Sequence, residues 1–271
     1  MVRLMLLTAL TGMSLTPSIY WDPYTIFFGL LGIGLAASSA GMLNQILEVG
    51  LDTQMHRTRS RPLVQQKNLH QHAKQLCFFL ALSSAIILIS FTNLLTVILT
   101  SIAMLGYSWF YTQILKPNTS QNIVIGGLFG AMPPLLGWCA LEGSISYQPL
   151  ILVTIIYTWT PPHFWCLALA KLEDYQRNQI PMLPVIYGTP YTQTHIICYS
   201  ILLILITQLP YLTQMSGVFY AITANLANIY LMRKMIQVRN SKNPKIYLSG
   251  FLASNFYLAA LFLIIMIDQC L

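Results

Sequence analysis

Stretches dominated by apolar side chains recur at roughly 4–20, 24–49, 76–92, 94–115, 122–141, 149–170, 194–212, 215–235 and 246–267. A helix that crosses the hydrocarbon core of a bilayer needs about 20 apolar residues. The pattern therefore predicts an all-α, polytopic integral membrane protein with about nine transmembrane helices. The first run is short, and only the polar Thr92-Asn93 step divides the third from the fourth. The count carries an uncertainty of about one span. The opening MVRLMLLTALTGMSLTPS has the look of a signal peptide. The rest of the chain is equally apolar, so it reads as a first span.

Composition narrows the class. Of 271 residues, 56% are hydrophobic and 8% are charged, against about 25% charged in an ordinary soluble domain. Mean hydropathy is +0.63. These values exclude a disordered chain, a disulfide scaffold and almost any soluble enzyme. They leave no room for a separate soluble domain, so residues 1–271 are expected to form one transmembrane domain. The five cysteines are scattered, without CxxC or Cys/His metal spacing, and read as apolar filler.

Charge sets the topology. With the N-terminus inside, all 14 basic residues fall on one side: Arg3; Arg57, Arg59, Arg61, Lys67 and Lys74; Lys116; Lys171 and Arg177; and Arg233, Lys234, Arg239, Lys242 and Lys245. Such an excess marks the cytoplasmic side of a membrane protein rather than nucleic-acid binding. The N-terminus lacks an Arg-rich, Ser-rich import leader, which favours a bacterial plasma (inner) membrane. Asp22, Glu142 and Asp268 fall on the opposite side as interface residues. Glu48, Asp52, Glu173 and Asp174 cluster among the cations. Carboxylates at span ends are costly unless paired, hydrated or bound to metal, so the chemistry is expected there.

Asn44, Glu48 and Asp52 stand four residues apart. On a helix they line one face over about 12 Å. An amide and two carboxylates offer the oxygen ligands that Mg²⁺ takes, commonly shared with substrate phosphates. Alone, the motif also fits a polar helix end in water. Arg57, Arg59 and Arg61 follow directly. They suit bidentate contact with phosphate oxygens or with anionic lipid. Glu173-Asp174-Tyr175 adds a second acidic cluster, and Lys116 of Tyr111-Thr-Gln-Ile-Leu-Lys116 reaches a phosphate or snorkels. Trp159-Thr-Pro161-Pro162-His163-Phe164-Trp165 places two prolines and a histidine inside a span. The prolines break the hydrogen-bond ladder and are expected to open a kink, and an intramembrane histidine is a functional candidate. Gly126-Gly127, Gly130 and Pro133-Pro134 invite close helix approach or a large flat ligand. P-loop, GxSxG, HExxH and GxGxxG patterns are absent from the sequence.

Taken together, these motifs resemble the UbiA superfamily of intramembrane prenyltransferases, and within it the branch that farnesylates heme. The resemblance rests on Asn44-x3-Glu48-x3-Asp52 with Met55-x-Arg57-Thr58-x2-Arg61-Pro62-Leu63. It extends through Tyr111-Thr-x2-Leu115-Lys116, Asn122-Ile-Val-Ile-Gly126-Gly127, Gly130-Ala131-x-Pro133-Pro134 and Gly137-Trp138. Trp159-x-Pro161-Pro162-His163-Phe164-Trp165, Asp174-Tyr175 and Ile180-Pro-Met-Leu-Pro184-Val complete it. Many members carry Asp at the positions of Glu48 and Gly50, Lys-Arg in place of Lys116-Pro117, and Ala-Gly in place of Asn178-Gln179. The Lys-Pro-Arg common before the first span is missing, which implies a trimmed tail or an earlier start.

The resemblance implies transfer of farnesyl from farnesyl diphosphate to heme b, giving heme O. It implies Mg²⁺ held by Glu48, Asp52 and Asp174 with Asn44 orienting them. It implies Arg57, Arg61 and Lys116 on the leaving diphosphate. It implies heme contact at His163, Trp159, Trp165 and Tyr111, with His163 as an axial ligand or as a propionate or proton-handling partner. The lipid bilayer and a heme A synthase or terminal oxidase are the expected partners, and nucleic acid is not. Competing readings are a prenyltransferase acting on an aromatic acid, a small cation-coupled transporter, and a structural oxidase subunit.

Overall fold

A computed structural model of the chain describes residues 2–55, 58–66 and 68–271. Every described element is helical. Nine helices occupy the nine apolar runs in order: α1 Val2–Ser14, α2 Pro23–Leu47, α3 Leu69–Phe91, α4 Leu94–Asn118, α5 Asn122–Glu142, α6 Tyr147–Ala170, α7 Gly188–Leu212, α8 Val218–Arg239 and α9 Pro244–Asp268.

Seven of them are long and apolar enough to cross a membrane. The other two fall short for different reasons. α1 has 13 residues, about 20 Å at 1.5 Å per residue, where a bilayer core measures about 30 Å. α8 is long enough, at 22 residues, but its apolar character is diluted by Thr223, Asn225, Asn228, Arg233 and Lys234. The chain is a multi-pass membrane protein, and seven spans is the number that length and composition establish.

Local chemistry sets the helix ends. Asp22 caps α2, its carboxylate accepting from the Thr25 amide at 2.8 Å and the Thr25 hydroxyl at 2.7 Å, and Pro23 occupies the first turn. These bonds hold the Asp22 carboxyl below the usual range. Asn93 caps α4 through the Thr96 amide, and its own amide donates to the Cys139 carbonyl at 2.6 Å. The start of α4 is thereby tied to the end of α5. Gly143, at φ +71°, closes α5 in the left-handed conformation that glycine tolerates best.

α5 and α6 form the centre. In each, 67% of the most apolar stretch is buried, against 17% for α3, so α3 is a lipid-facing wall. The main apolar cluster joins α5 and α6 to α7, α8 and α9. A smaller one, with Ala9, Ile33, Leu88, Ala103 and Leu136, joins α5 to α1, α2, α3 and α4. The bundle thus has two halves joined at α5, with α6 packed on the side of α7, α8 and α9. Buried polar contacts fix the outer half: Tyr257 donates to the Asn228 side chain at 2.7 Å, Asn228 donates to the Thr207 hydroxyl at 3.0 Å, and Tyr220 donates to the Thr207 carbonyl at 2.8 Å.

Small residues let α1 meet α5 backbone to backbone. A Cβ on Gly12 would lie 2.0 Å from the Pro134 carbonyl oxygen, and one on Gly137 would lie 2.0 Å from that of Ala9. Close approach of this kind drives helix association where lipid replaces water. Gly137→Ala is expected to destabilise the protein by more than the roughly 1–3 kcal/mol of ordinary overpacking. Gly50→Ala, where a Cβ meets nothing within 4 Å, is expected to stay within about 0.5 kcal/mol. Thermal unfolding of the detergent-solubilised chain compares the two.

Candidate active site

α2 loosens at Glu48 and resumes as a short helix, Val49–Gln54. The register survives the break: the Glu48 amide donates to the Asn44 carbonyl at 3.0 Å, and the Asp52 amide to the Glu48 carbonyl at 2.8 Å. Asn44, Glu48 and Asp52 therefore share one face as expected. Glu48 and Asp52 are only 8% and 2% exposed. A buried carboxylate stays ionised only with a cation and hydrogen bonds around it. Each has one. Lys116 pairs with Glu48 Oε1, and Arg61 Nη1 sits 2.5 Å from Asp52 Oδ2.

Two backbone devices deliver the cations. The chain turns back after Met55, with the Arg59 amide on the Met55 carbonyl and the Arg61 amide on the Thr58 carbonyl. The Thr58 hydroxyl donates to the Asp52 carbonyl at 3.3 Å. Met55 and Leu63 bury their side chains beneath this turn. Lys116 arrives differently. From Gly106 to Leu115, α4 winds as a π-helix, and the Lys116 amide donates to the Tyr111 carbonyl five residues back. Wide π turns are rare and concentrate at functional sites. Thr112, in the same segment, donates to Asn44 Oδ1 at 2.5 Å. That contact turns the Asn44 amide nitrogen toward Glu48 Oε2, 3.3 Å away. Thr112 is a site residue the sequence reading missed, although it lies inside the quoted Tyr111–Lys116 motif. Tyr107 and Tyr111 stack nearly parallel, 6.0 Å apart.

The glycines of α5 split in role. A Cβ on Gly126 would lie 2.3 Å from the Tyr111 ring and one on Gly127 would lie 3.1 Å from Thr160, whereas Gly130 faces open space. The first two serve helix approach.

The second acidic cluster sits elsewhere. Glu173 and Asp174, on the short helix Leu172–Arg177, line a cavity of about 650 Å³ with Lys171, Gln193, Lys242 and Tyr247. Among the described residues, no three His, Cys, Asp or Glu side chains gather as a ready-made metal cage. Asp174 therefore does not complete a three-carboxylate cage with Glu48 and Asp52 among the described residues. Arg57, the remaining expected phosphate contact, lies outside the described residues.

α6 runs as one assigned helix from Tyr147 to Ala170 with Pro161 and Pro162 inside it. The prolines cost the helix two ladder bonds without ending it. His163 is 3% exposed and lies between two aromatic faces, Trp159 at 4.2 Å and Phe251 at 4.3 Å, with Phe164 edge-on at 4.9 Å. Its Nδ1 meets the Ser254 hydroxyl at 2.7 Å. Trp165 does not join this group. Two residues further on, it points to another side of α6 and packs edge-on against His195 and Tyr199 of α7. The expected set Trp159, His163 and Trp165 is therefore divided.

The site is a pair of buried carboxylates beside an amide, matched by two cations suited to phosphate. The UbiA prenyltransferase family matches over residues 5–263. This chain belongs to that family.

Among its relatives is "Protoheme IX farnesyltransferase 2" of Pseudoalteromonas translucida (strain TAC 125), 42% identical over 270 residues that span all of this chain and 87% of the relative. The family fold is equally clear. A solved digeranylgeranylglyceryl phosphate synthase superposes with a TM-score of 0.80 at 16% identity, over 99% of this chain and 95% of that one. A UbiA homologue from Archaeoglobus fulgidus bound to GPP and Mg²⁺ superposes with a TM-score of 0.66 at 14% identity, over 97% and 95%. In this UbiA chain, the all-oxygen donor set of Asn44, Glu48 and Asp52 has the chemistry a hard cation requires.

The two ion pairs make a test of the charge balance. Breaking one buried pair strands its partner, at a cost of about 3–5 kcal/mol. Lys116→Met alone is expected to lose stability on that scale. Adding Glu48→Gln is expected to restore most of it, because both charges are then gone. A double-mutant cycle on thermal stability measures the difference.

Proposed function

We propose that this chain transfers the farnesyl group of farnesyl diphosphate to a vinyl group of heme b, with addition of water, to give heme O. The observation that carries the reading is the 42% identity, over the whole chain, to a protein named for that reaction. The reaction end of the bundle is the one bearing Glu48, Asp52, Arg61 and Lys116. On the charge distribution it faces the cytoplasm of a bacterial plasma membrane.

Arg61 and Lys116, with Arg57, take the diphosphate oxygens, where planar forks and a point charge suit phosphate. Glu48 and Asp52 would hold the Mg²⁺ that accompanies the diphosphate, with Asp174 a further carboxylate offered from the connector after α6. Bound Mg²⁺ neutralises charge on the departing group. Asn44, fixed by Thr112, keeps the Glu48 carboxylate aimed at this space.

The C1–O bond of farnesyl diphosphate breaks with both electrons leaving on diphosphate. Positive charge then spreads over the allylic carbons. The stacked rings of Tyr107 and Tyr111 offer π faces to that charge. The porphyrin vinyl group supplies the electron pair for the new C–C bond. The resulting benzylic-type cation takes up water and releases a proton, which leaves a hydroxyethylfarnesyl substituent without net redox change. His163 is assigned to the porphyrin, and Trp159 beside it contributes an aromatic face. A heme A synthase or terminal oxidase would consume such a product.

The decisive measurement is mass spectrometry of hemes from a host lacking its own heme O synthase. Heme O is expected with this chain. It is expected to fall by about 10²–10³-fold in Asp52→Ala, on the scale seen when one transition-state stabiliser is removed. A well-expressed chain yielding heme b alone would overturn the acceptor and direct attention to aromatic acids. Full activity of Asp52→Ala with unchanged Mg²⁺ dependence would overturn the metal site.

A further inference from the structure

Ser254 lies on α9, 91 residues from His163, and is 1% exposed. Its hydroxyl donates to the Phe251 carbonyl at 2.8 Å. A hydroxyl has a single hydrogen, so while it donates to the Phe251 carbonyl it accepts from His163. In that arrangement the imidazole carries its proton on Nδ1. The Phe251 backbone is the other hydrogen-bond partner of the ring, and the side-chain contact is made at Nδ1. The neutral ring with a bare lone pair on Nε2 is the form these surroundings satisfy.

The same residue holds the ring in place. The Ser254 carbonyl accepts from Trp159 Nε1 at 2.8 Å, which fixes the ring on one face of His163. Phe251, one turn before Ser254, covers the other face. α9 thus covers one face of the imidazole with Phe251, meets Nδ1 with Ser254, and anchors the α6 residue Trp159 that covers the other face. Metal-binding histidines commonly share this arrangement, in which an acceptor on one nitrogen sets the tautomer and orients the other.

We infer that Ser254 is a positioning residue: it locks His163 in the Nδ1–H tautomer and so presents Nε2 as a ligand to the iron of the porphyrin substrate. The inference rests on the heme reading above. It assigns a role in substrate handling to a residue distant from the carboxylate–cation site and outside every motif quoted for the family.

The test titrates ferric heme b into the purified full-length chain and follows the Soret band, with farnesyl diphosphate binding measured in parallel by calorimetry. Ser254→Ala is expected to weaken heme binding about 10–100-fold, as loss of an outer-shell partner does, and to move the spectrum toward that of His163→Ala. Ser254→Thr, which keeps the hydroxyl, is expected to restore both. The His163→Ala/Ser254→Ala double variant is expected to bind heme no more weakly than His163→Ala, and farnesyl diphosphate binding is expected to hold throughout. An unchanged spectrum and affinity in Ser254→Ala would overturn the inference. So would equal loss of both ligands without rescue by threonine, which would make Ser254 a packing residue. Failure of the unaltered chain to bind heme would instead overturn the heme reading and this inference with it.

Discussion

Two carboxylates are kept in a nearly water-free place at the end of a membrane helix, and much of the bundle is arranged to allow it. Ionised groups are not tolerated there singly. Each needs a cation of its own, delivered to within contact distance. Asp52 receives its cation from nine residues on, by a chain reversal. Glu48 receives its cation from 68 residues on, at the end of a separate helix. The wide turns of α4, the break in α2 at Glu48 and the tight turn after Met55 all follow from satisfying those two charges together. A smaller set of polar contacts, Thr112 on Asn44 and Asn44 on Glu48, holds one carboxylate in orientation.

The site also explains the division of the bundle. Helices α1 to α4 gather on one side of the central pair and carry the phosphate-directed charges. Helices α7 to α9 gather on the other, and α9 supplies the residues that grip His163. α5 belongs to both halves and α6 packs between it and the second half, and both contain a double proline. Rigid packing around α5 and α6 sets the separation between the ionic end and the aromatic clamp. Gly126 and Gly127 maintain that packing because any side chain there would push Tyr111 or Thr160 away.

Much of this was legible in the residues. Nine apolar runs marked nine helices, and the one-sided distribution of Lys and Arg indicated which ends belong together. The spacing of Asn44, Glu48 and Asp52 identified one face of a helix end because local periodicity decides it. Contacts between distant segments were less accessible. Nothing in the sequence links Ser254 to His163, and the motif containing Thr112 does not show that its hydroxyl reaches Asn44. The π winding of α4 has no sequence signature, since tertiary packing selects it. Trp165 was grouped with His163 by proximity along the chain, but two residues are more than half a helical turn, and it faces α7. Seven helices rather than nine are long and apolar enough to cross a membrane, because α1 is too short and α8 too polar.

The shortness of α1 has a consequence for how the protein is made. Its inward face, with Thr8, Ala9, Thr11, Gly12 and Met13, is built to lie against α5, yet Pro134 follows Gly12 by 122 residues. At about 5–20 residues per second, the ribosome needs roughly 6–24 s to supply that partner. For that interval a helix too short to span the bilayer must be retained at the membrane with its packing face uncovered. The contact between α1 and α5 is thus made only after the three helices between them have been synthesised, and the glycine face of α1 waits for it.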